Sequence, residues 1–190
     1  MSSQQKLHPS LMMGMQNVSS GVLSPSNSPV SIMDLLGLRY NRPFHQDSVF
    51  LLLITLGPIA WFSMREFLVF QPPAWQAIWS AAFLSVMLWQ PLFEELLFRG
   101  TIQGYALQST RMQNTWNGFT LANVFTSLLF SLAHLASHSM SWSLLVFIPS
   151  LCFGFVRDRF GSVYPAIALH AFYNAGYFLL FGDSIFQNSR

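Results

Sequence analysis

The chain has 190 residues, enough for one domain, and 52% of them are hydrophobic while only 8% are charged. A soluble domain carries about 25% charged residues, so this composition excludes an ordinary water-exposed surface and indicates a protein that lies in lipid. The net charge of +2 comes from scattered basic residues rather than from a basic patch. We therefore expect the lipid bilayer as a partner and no nucleic acid.

The segment 1–47 is the most polar part of the chain, and residues 19–31 are rich in Ser, Pro, Asn and Gly. Such a composition buries too little apolar surface to fold alone, so we expect 1–47 to be a disordered or poorly ordered tail. No apolar run of the signal-peptide type follows Lys6, so a cleaved signal is not predicted. Four methionines in this segment are alternative starts, which leaves the true start open.

Apolar runs follow one another through residues 48–190, and most approach the length that a membrane crossing needs. We predict spans at about 48–64, 74–98, 117–136, 142–157 and 161–182. The predicted fold class is all-α, a polytopic membrane helix bundle of about five transmembrane helices. Basic residues before the first span and after the second and fourth outnumber those on the other side, so the positive-inside rule places the N-terminus in the cytoplasm.

Glu94, Glu95 and Arg99 form the first polar element on an apolar run, and ionisable side chains in a membrane are costly. Glu95 and Arg99 are four residues apart, so they lie on one helix face and can pair. Glu94 is rotated from Glu95 by about 100° and can point elsewhere. One carboxylate would then be neutralised while the other acts as a general base. A structural salt-bridge cluster at a helix end is the alternative interpretation.

Two more polar elements lie in later apolar runs. Phe130 precedes His134 by four residues on the third span, and His170 precedes Asn174 by four residues on the fifth. Residues at this spacing share a helix face, and the His and Asn side chains can both donate hydrogen bonds, which suits an oxyanion. Taken singly, either element could instead be a hydrogen-bonded contact between helices.

Together, the order and spacing of the three elements resemble the CAAX-protease and bacteriocin-processing family (CPBP, also called Abi) of glutamic-type intramembrane endopeptidases. The motifs of that family are Glu-Glu-x-x-x-Arg, Phe-x-x-x-His and His-x-x-x-Asn, each on a separate span. The chain contains all three in this order within residues 74–182. Many members have more spans, so the chain looks like a minimal version of the fold.

The resemblance implies that residues 48–190 form a transmembrane peptidase domain that hydrolyses a peptide bond of a membrane-associated protein or peptide. It implies a catalytic set and a supporting set, which are Glu94, His134, His170 and Asn174, and Glu95, Arg99 and Phe130. Glu94 would take a proton from a water that His134 helps to orient, while the pair on the last span would stabilise the oxyanion. Arg99 would hold Glu95, and Glu95 would set the electrostatics and position of Glu94. No cofactor is implied.

The short scaffold is also similar to bacterial glutamic-type proteases that are paired with C-terminal sorting signals. This similarity implies a multi-pass protein of the bacterial inner (plasma) membrane and cleavage near a C-terminal processing signal. The sequence identifies neither the substrate nor the side from which it reaches the protein.

Other functions remain as alternatives. His134 and His138 have the spacing of paired zinc ligands and Glu94 could be a third, which would make the protease metal-dependent, but the pattern His-Glu-x-x-His is absent and no metal is assigned. No Gly-x-Ser-x-Gly occurs and Cys152 has no evident partner, so neither a serine nor a cysteine nucleophile is predicted. A non-enzymatic membrane scaffold or immunity protein, and a small transporter, are the other classes.

The predicted topology conflicts with the site in one respect. Glu94 and Glu95 fall near the cytoplasmic end of the second span, whereas His134 falls toward the outer end of the third. The two elements would meet at one depth if the second span continued past Arg99, if the third started later, or if Pro91 tilted the helix.

Overall fold

The computed structural model describes residues 31–40, 42–68 and 78–187. This part of the chain is mostly helical, and its helices are α1 Ile32–Leu35, α2 Ser48–Met64, α3 Ala81–Ala106, α4 Leu121–His134, α5 Met140–Phe160 and α6 Tyr164–Gln187. A 3-10 turn, Phe44–Gln46, leads into α2. A two-stranded antiparallel hairpin, β1 Thr115–Trp116 and β2 Phe119–Thr120, leads into α4.

The helices confirm the all-α class, and α2 has the bounds predicted for the first span. Among the described helices, α3 and α5 are long and apolar enough to cross a membrane, and α2 and α4 are shorter apolar helices. The third predicted span, 117–136, begins later as α4 because the hairpin occupies residues 115–120. The count of about five spans stays a prediction.

Short polar side chains fix where the helices begin. Asp47, Ser80, Thr120 and Ser139 precede α2, α3, α4 and α5, and each accepts a hydrogen bond from a backbone N–H of the first turn. These caps satisfy donors that have no partner within the helix. At the other end of α5, Gly161 has φ +62°, the left-handed conformation that commonly ends a helix.

Helix α3 differs most from its predicted span. The predicted start at 74 lies outside the described residues, and the helix runs on past Arg99 to Ala106. The predicted end at 98 was wrong because the charged residues that close the apolar run lie inside the helix. Glu94 and Glu95 therefore lie in the middle of the helix. A second span that continues past Arg99 is one of the ways in which the sequence analysis allowed the glutamates and His134 to meet at one depth.

Two π-helical segments of α3, Ser85–Trp89 and Leu96–Gln103, flank the short α-helical segment Gln90–Glu95. Each π-helical turn holds its hydrogen bond over five residues instead of four, which changes the direction in which the following side chains point. Such turns are rare in proteins, and those that occur are often found at functional sites. The carboxylates of α3 thus sit between two departures from regular helix.

The apolar core lies where α2, α5 and α6 meet, and its buried members are Phe50, Leu53, Phe153, Val156, Phe160, Ala166 and Leu169. Helix α4 packs along α5, where the Asn123 carboxamide donates to the Leu151 carbonyl at 3.0 Å. A Cβ at Gly154 would overlap the Asn123 side chain, so glycine is needed for this close approach. Helices α4 and α5, which border α3, therefore approach each other closely at this point.

The described residues between 31 and 47, which the sequence analysis assigned to a poorly ordered tail, pack against the bundle. The Arg157 guanidinium donates to the Leu35 carbonyl at 3.0 Å, and the Val163 amide donates to the Gly37 carbonyl at 2.9 Å. A Cβ at Gly104 would overlap the Leu35 carbonyl oxygen. Backbone carbonyls hold much of this segment, and Phe44 packs on Phe50 and Phe160 of the core. The polar composition of the segment did not reveal these contacts. Residues 1–30 lie outside the described residues.

Candidate active site

The predicted pair Glu95 and Arg99 is present and completely buried. The Arg99 Nε donates to Glu95 Oε2 at 3.1 Å, as the spacing of four residues predicts. The rest of the guanidinium donates to two hydroxyls, Ser150 Oγ at 2.6 Å and Ser127 Oγ at 3.4 Å. A buried ion pair is tolerated only when such additional hydrogen bonds are made. Arg99 thus ties α3 to α4 and α5.

His170 connects this ion pair to Glu94. Its Nδ1 lies 2.8 Å from Glu95 Oε1, and its Nε2 lies 3.8 Å from Glu94 Oε2. Because the carboxylate of Glu95 accepts hydrogen bonds, the imidazole donates from Nδ1, and Nε2 faces Glu94. The ring stacks on Phe153, with ring centroids 4.6 Å apart. Glu95 therefore orients His170, whereas the sequence analysis gave it the task of positioning Glu94.

Glu94 is the accessible carboxylate of the two. Its side chain is 32% exposed, whereas that of Glu95 is completely buried. The two residues are adjacent on α3, so the helix rotation of about 100° directs one inward to Arg99 and the other toward open space. Of the two, Glu94 is therefore the more accessible carboxylate.

His134 is the last residue of α4 and is held by Phe130 one turn earlier. Its Nδ1 lies 2.8 Å from the Phe130 carbonyl oxygen, which can only accept, so Nδ1 carries the proton and Nε2 is left with a lone pair. The buried Phe130 ring also contacts the His170 ring and lies under the Arg99 guanidinium, at 5.9 and 5.3 Å. Phe130 thus joins both histidines and the ion pair.

Asn174 lies one turn beyond His170 on α6, but its recorded hydrogen bond is not to Glu94. The carboxamide Nδ2 donates to the Val86 carbonyl oxygen at 3.1 Å, in the first π-helical segment of α3. The sequence analysis expected this side chain to stabilise the oxyanion together with His170. The structure instead places it against the backbone that leads into the Glu94 segment.

His138 lies at the edge of this group. Its ring centroid is 5.6 Å from that of His134, and its Nδ1 lies 2.8 Å from Ser137 Oγ. Within the described ranges, no three His, Cys, Asp or Glu side chains are arranged as a metal site would require.

Sequence reasoning missed several side chains that shape the site. Ser127 and Ser150 bind Arg99, and Phe153 stacks on His170. Single serines and phenylalanines are common in apolar runs, so nothing in the pattern distinguishes these three from ordinary packing residues. Their partners lie on other helices, and only the fold brings them together.

The sequence profile of the Rce1-like type II CAAX prenyl endopeptidase family matches residues 75–176, more than half of the chain. The chain belongs to this family. The match contains all three motifs and confirms the resemblance drawn from them. The chain is accordingly a membrane-embedded protease of the CAAX type, an intramembrane endopeptidase. Comparison with curated proteins and with solved structures found no match.

Proposed function

We propose that this endopeptidase uses a water activated by Glu94 to cleave a peptide bond of a membrane-associated protein or peptide. The observation that supports this most directly is the chain of contacts from Arg99 through Glu95 to His170, which ends with His170 Nε2 facing Glu94. Such a chain holds an imidazole rigidly beside Glu94, the more accessible of the two adjacent glutamates. Rigid placement of a base and a hydrogen-bond donor is what amide hydrolysis needs.

The proposed chemistry uses the two histidines in different protonation states: His134 is neutral with its proton on Nδ1, and His170 carries a proton on both ring nitrogens. Glu94 removes a proton from water, and the lone pair of His134 Nε2 accepts the other hydrogen of that water and orients it. The hydroxide attacks the peptide carbonyl carbon, and the carbonyl oxygen becomes an oxyanion. His170 in its protonated form donates from Nδ1 to Glu95 and from Nε2 to this oxyanion. Glu94 then gives its proton to the leaving nitrogen as the C–N bond breaks.

Each catalytic group in this mechanism has an expected contribution to the rate. A general base contributes about 10²- to 10⁴-fold in rate, and one donor to an oxyanion about 10²- to 10³-fold. The buried surroundings strengthen both effects because little water competes for the same groups. Asn174 shares a face of α6 with His170, but its Nδ2 donates to the Val86 carbonyl, so the proposed oxyanion donor is His170.

The same proposal includes a multi-pass protein of a bacterial plasma membrane, with a cytoplasmic N-terminus and a substrate cut near a C-terminal processing signal. Arg42 and Arg159 lie at the same end of the bundle, where Arg42 donates to the Arg159 carbonyl, and Arg39 is close to Arg42 in sequence. Basic residues gathered at one end support a cytoplasmic position for that end. Arg99 and Arg157, which the sequence analysis counted as loop charges, are buried within helices and carry no weight for orientation.

The decisive experiment is cleavage by the Glu94→Gln variant. We expect a fall of about 10²- to 10⁴-fold with normal membrane insertion, because the amide keeps the shape of the side chain but is not a base. Proteomics of membranes that contain wild-type or variant protein would score new C-termini. Glu66→Gln, at an exposed glutamate after α2, is the matched control and should cleave normally. Near-normal cleavage by Glu94→Gln would exclude the mechanism, and no cleavage by wild type would favour a non-enzymatic scaffold.

A further inference from the structure

The first π-helical segment of α3 leaves one backbone carbonyl without its helical donor. In this segment the Gln90 N–H donates to the Ser85 carbonyl, five residues back. If the pattern continued, the N–H of residue 91 would donate to the Val86 carbonyl. Residue 91 is a proline, which has no N–H. An unpaired carbonyl is costly inside a membrane protein, where water is scarce.

Asn174 supplies the missing hydrogen bond. Its Nδ2 lies 3.1 Å from the Val86 oxygen, and since a carbonyl only accepts, the carboxamide must donate. The donor comes from α6, the helix that carries His170 one turn earlier. One face of α6 therefore contacts α3 twice, at the Val86 backbone through Asn174 and at the glutamates through His170.

We propose that Asn174 is a positioning residue that replaces the N–H missing at Pro91 and thereby holds α3 in its π-helical register ahead of Glu94. A π-helical turn contains one more residue than an α-helical turn would. If the segment relaxed to α-helix, the residues on one side of it would rotate by about 100° and shift by about 1.5 Å relative to the other side. Glu94, three residues after Pro91, would then leave its place beside His170.

This inference rests on the proposed role of Glu94, and it competes with a role in which Asn174 contacts the oxyanion directly. Both roles predict that Asn174→Ala cleaves substrate slowly. This variant alone therefore does not distinguish the two roles. They differ in what an N–H at residue 91 does. If Asn174 acts through Val86, a backbone donor at 91 replaces it, and if Asn174 acts on substrate, that donor changes nothing.

The test compares Asn174→Ala with the double variant Pro91→Ala/Asn174→Ala. We expect Asn174→Ala to lower kcat by roughly 100-fold at nearly constant KM, the usual effect of about 1 Å of misplacement. The double variant should recover most of that loss. Pro149→Ala, at a proline inside α5, is the matched control and should not rescue Asn174→Ala. Hydrogen exchange of the amides in residues 84–95 should rise in Asn174→Ala and return to normal in the double variant.

A double variant as slow as Asn174→Ala, with α3 amides protected in both, would overturn the proposal in favour of direct contact with the oxyanion. If Asn174→Ala does not fold, a double variant that folds supports the proposal, and one that also fails to fold overturns it. If the wild type shows no Glu94-dependent cleavage, the proposed function fails, and hydrogen exchange alone decides whether Asn174 holds the π-helical segment.

Discussion

Glu94 and Glu95 are adjacent in the chain and differ completely in environment. Glu95 is enclosed with Arg99 and His170, whereas Glu94 is partly open and meets His170 at a longer distance. A carboxylate that balances a buried guanidinium serves the fold, and one that is accessible can serve the chemistry. Identical side chains thus have separable roles, which substitutions can test.

We predict that Glu95→Gln destabilises the protein by about 3–5 kcal/mol, because removing one partner leaves the other buried charge uncompensated. Glu94→Gln should cost much less stability, since Glu94 is partly exposed and its neighbour His170 is held more closely by Glu95. Thermal unfolding of both variants in the same detergent would measure the difference. Equal stabilities would show that the Glu95–Arg99 pair does not hold α3 in place.

The two histidines at the end of α4 offer a second test at the residue scale. We expect His134→Ala to abolish cleavage and His138→Ala to be tolerated, because His134 belongs to the Phe-x-x-x-His motif and is held by the Phe130 carbonyl, whereas His138 is exposed and hydrogen-bonds with the exposed Ser137. Activity should also survive strong chelation. Zinc that copurifies in stoichiometric amount and is lost together with activity in His138→Ala would instead indicate a metalloprotease.

The residues of the site were predictable where the relevant contacts are local. The Glu95–Arg99 pair follows from spacing on one helix, and so does the contact between Phe130 and His134. The hydrogen bond between Glu95 and His170 joins positions 75 residues apart, and that between Asn174 and Val86 joins positions 88 apart. No periodicity specifies such pairs, so the roles of Glu95 and Asn174 were only visible in the fold.

At the scale of elements, composition located the helices better than it located their ends. Charged residues were taken as the end of the second span, yet Arg99 and Gln103 are completely buried within α3. Their partners, among them Ser150 and Asp158 on α5, make burial possible. A hydropathy pattern counts each charge as a cost and cannot register the partner that offsets it.

The junction between α2 and α5 gives a prediction about pH. Asp47 caps α2, and its hydrogen bonds with the Arg159 guanidinium hold the pKa of the carboxyl below its ordinary value of 3.8. A lowered folded pKa means that the ion pair stabilises the protein above pH 3.8 and that this contribution is lost as pH falls through the folded pKa.

Asp47→Asn keeps the helix cap and removes the charge, so it isolates the ion pair. We expect the variant to melt below the wild type at pH 6 and the two to converge as pH drops below 3.8. Melting temperatures measured across this range would show the convergence. A constant difference at every pH would indicate that Asn caps α2 less well and that the ion pair contributes nothing.

At the scale of the whole molecule, the segment that precedes α2 belongs to the bundle. Arg157 joins this segment to α3, since the guanidinium donates both to the Leu35 carbonyl and to the Arg99 carbonyl on α3. Tyr164, the first residue of α6, donates from Oη to the Leu38 carbonyl. The segment therefore closes one end of α3, α5 and α6, and it indirectly supports the backbone at Arg99.

This arrangement predicts different outcomes for two truncations. Deleting 1–32, so that the chain starts at Met33, should preserve insertion and cleavage, because the carbonyls that bind Arg157, Val163 and Tyr164 remain. Deleting 1–42 removes those carbonyls and leaves the buried donors of Arg157 and Val163 unpaired, at about 1–3 kcal/mol each.

Thermal unfolding and cleavage of the two truncated proteins, each with an initiating Met, would measure the effect. The shorter deletion should match the wild type in both, and the longer one should melt earlier and cleave more slowly, because Arg157 no longer braces α3 next to Arg99. If the longer deletion also behaves as wild type, the segment packs on the bundle without supporting it. If the shorter one already fails, residues before Met33 contribute to folding.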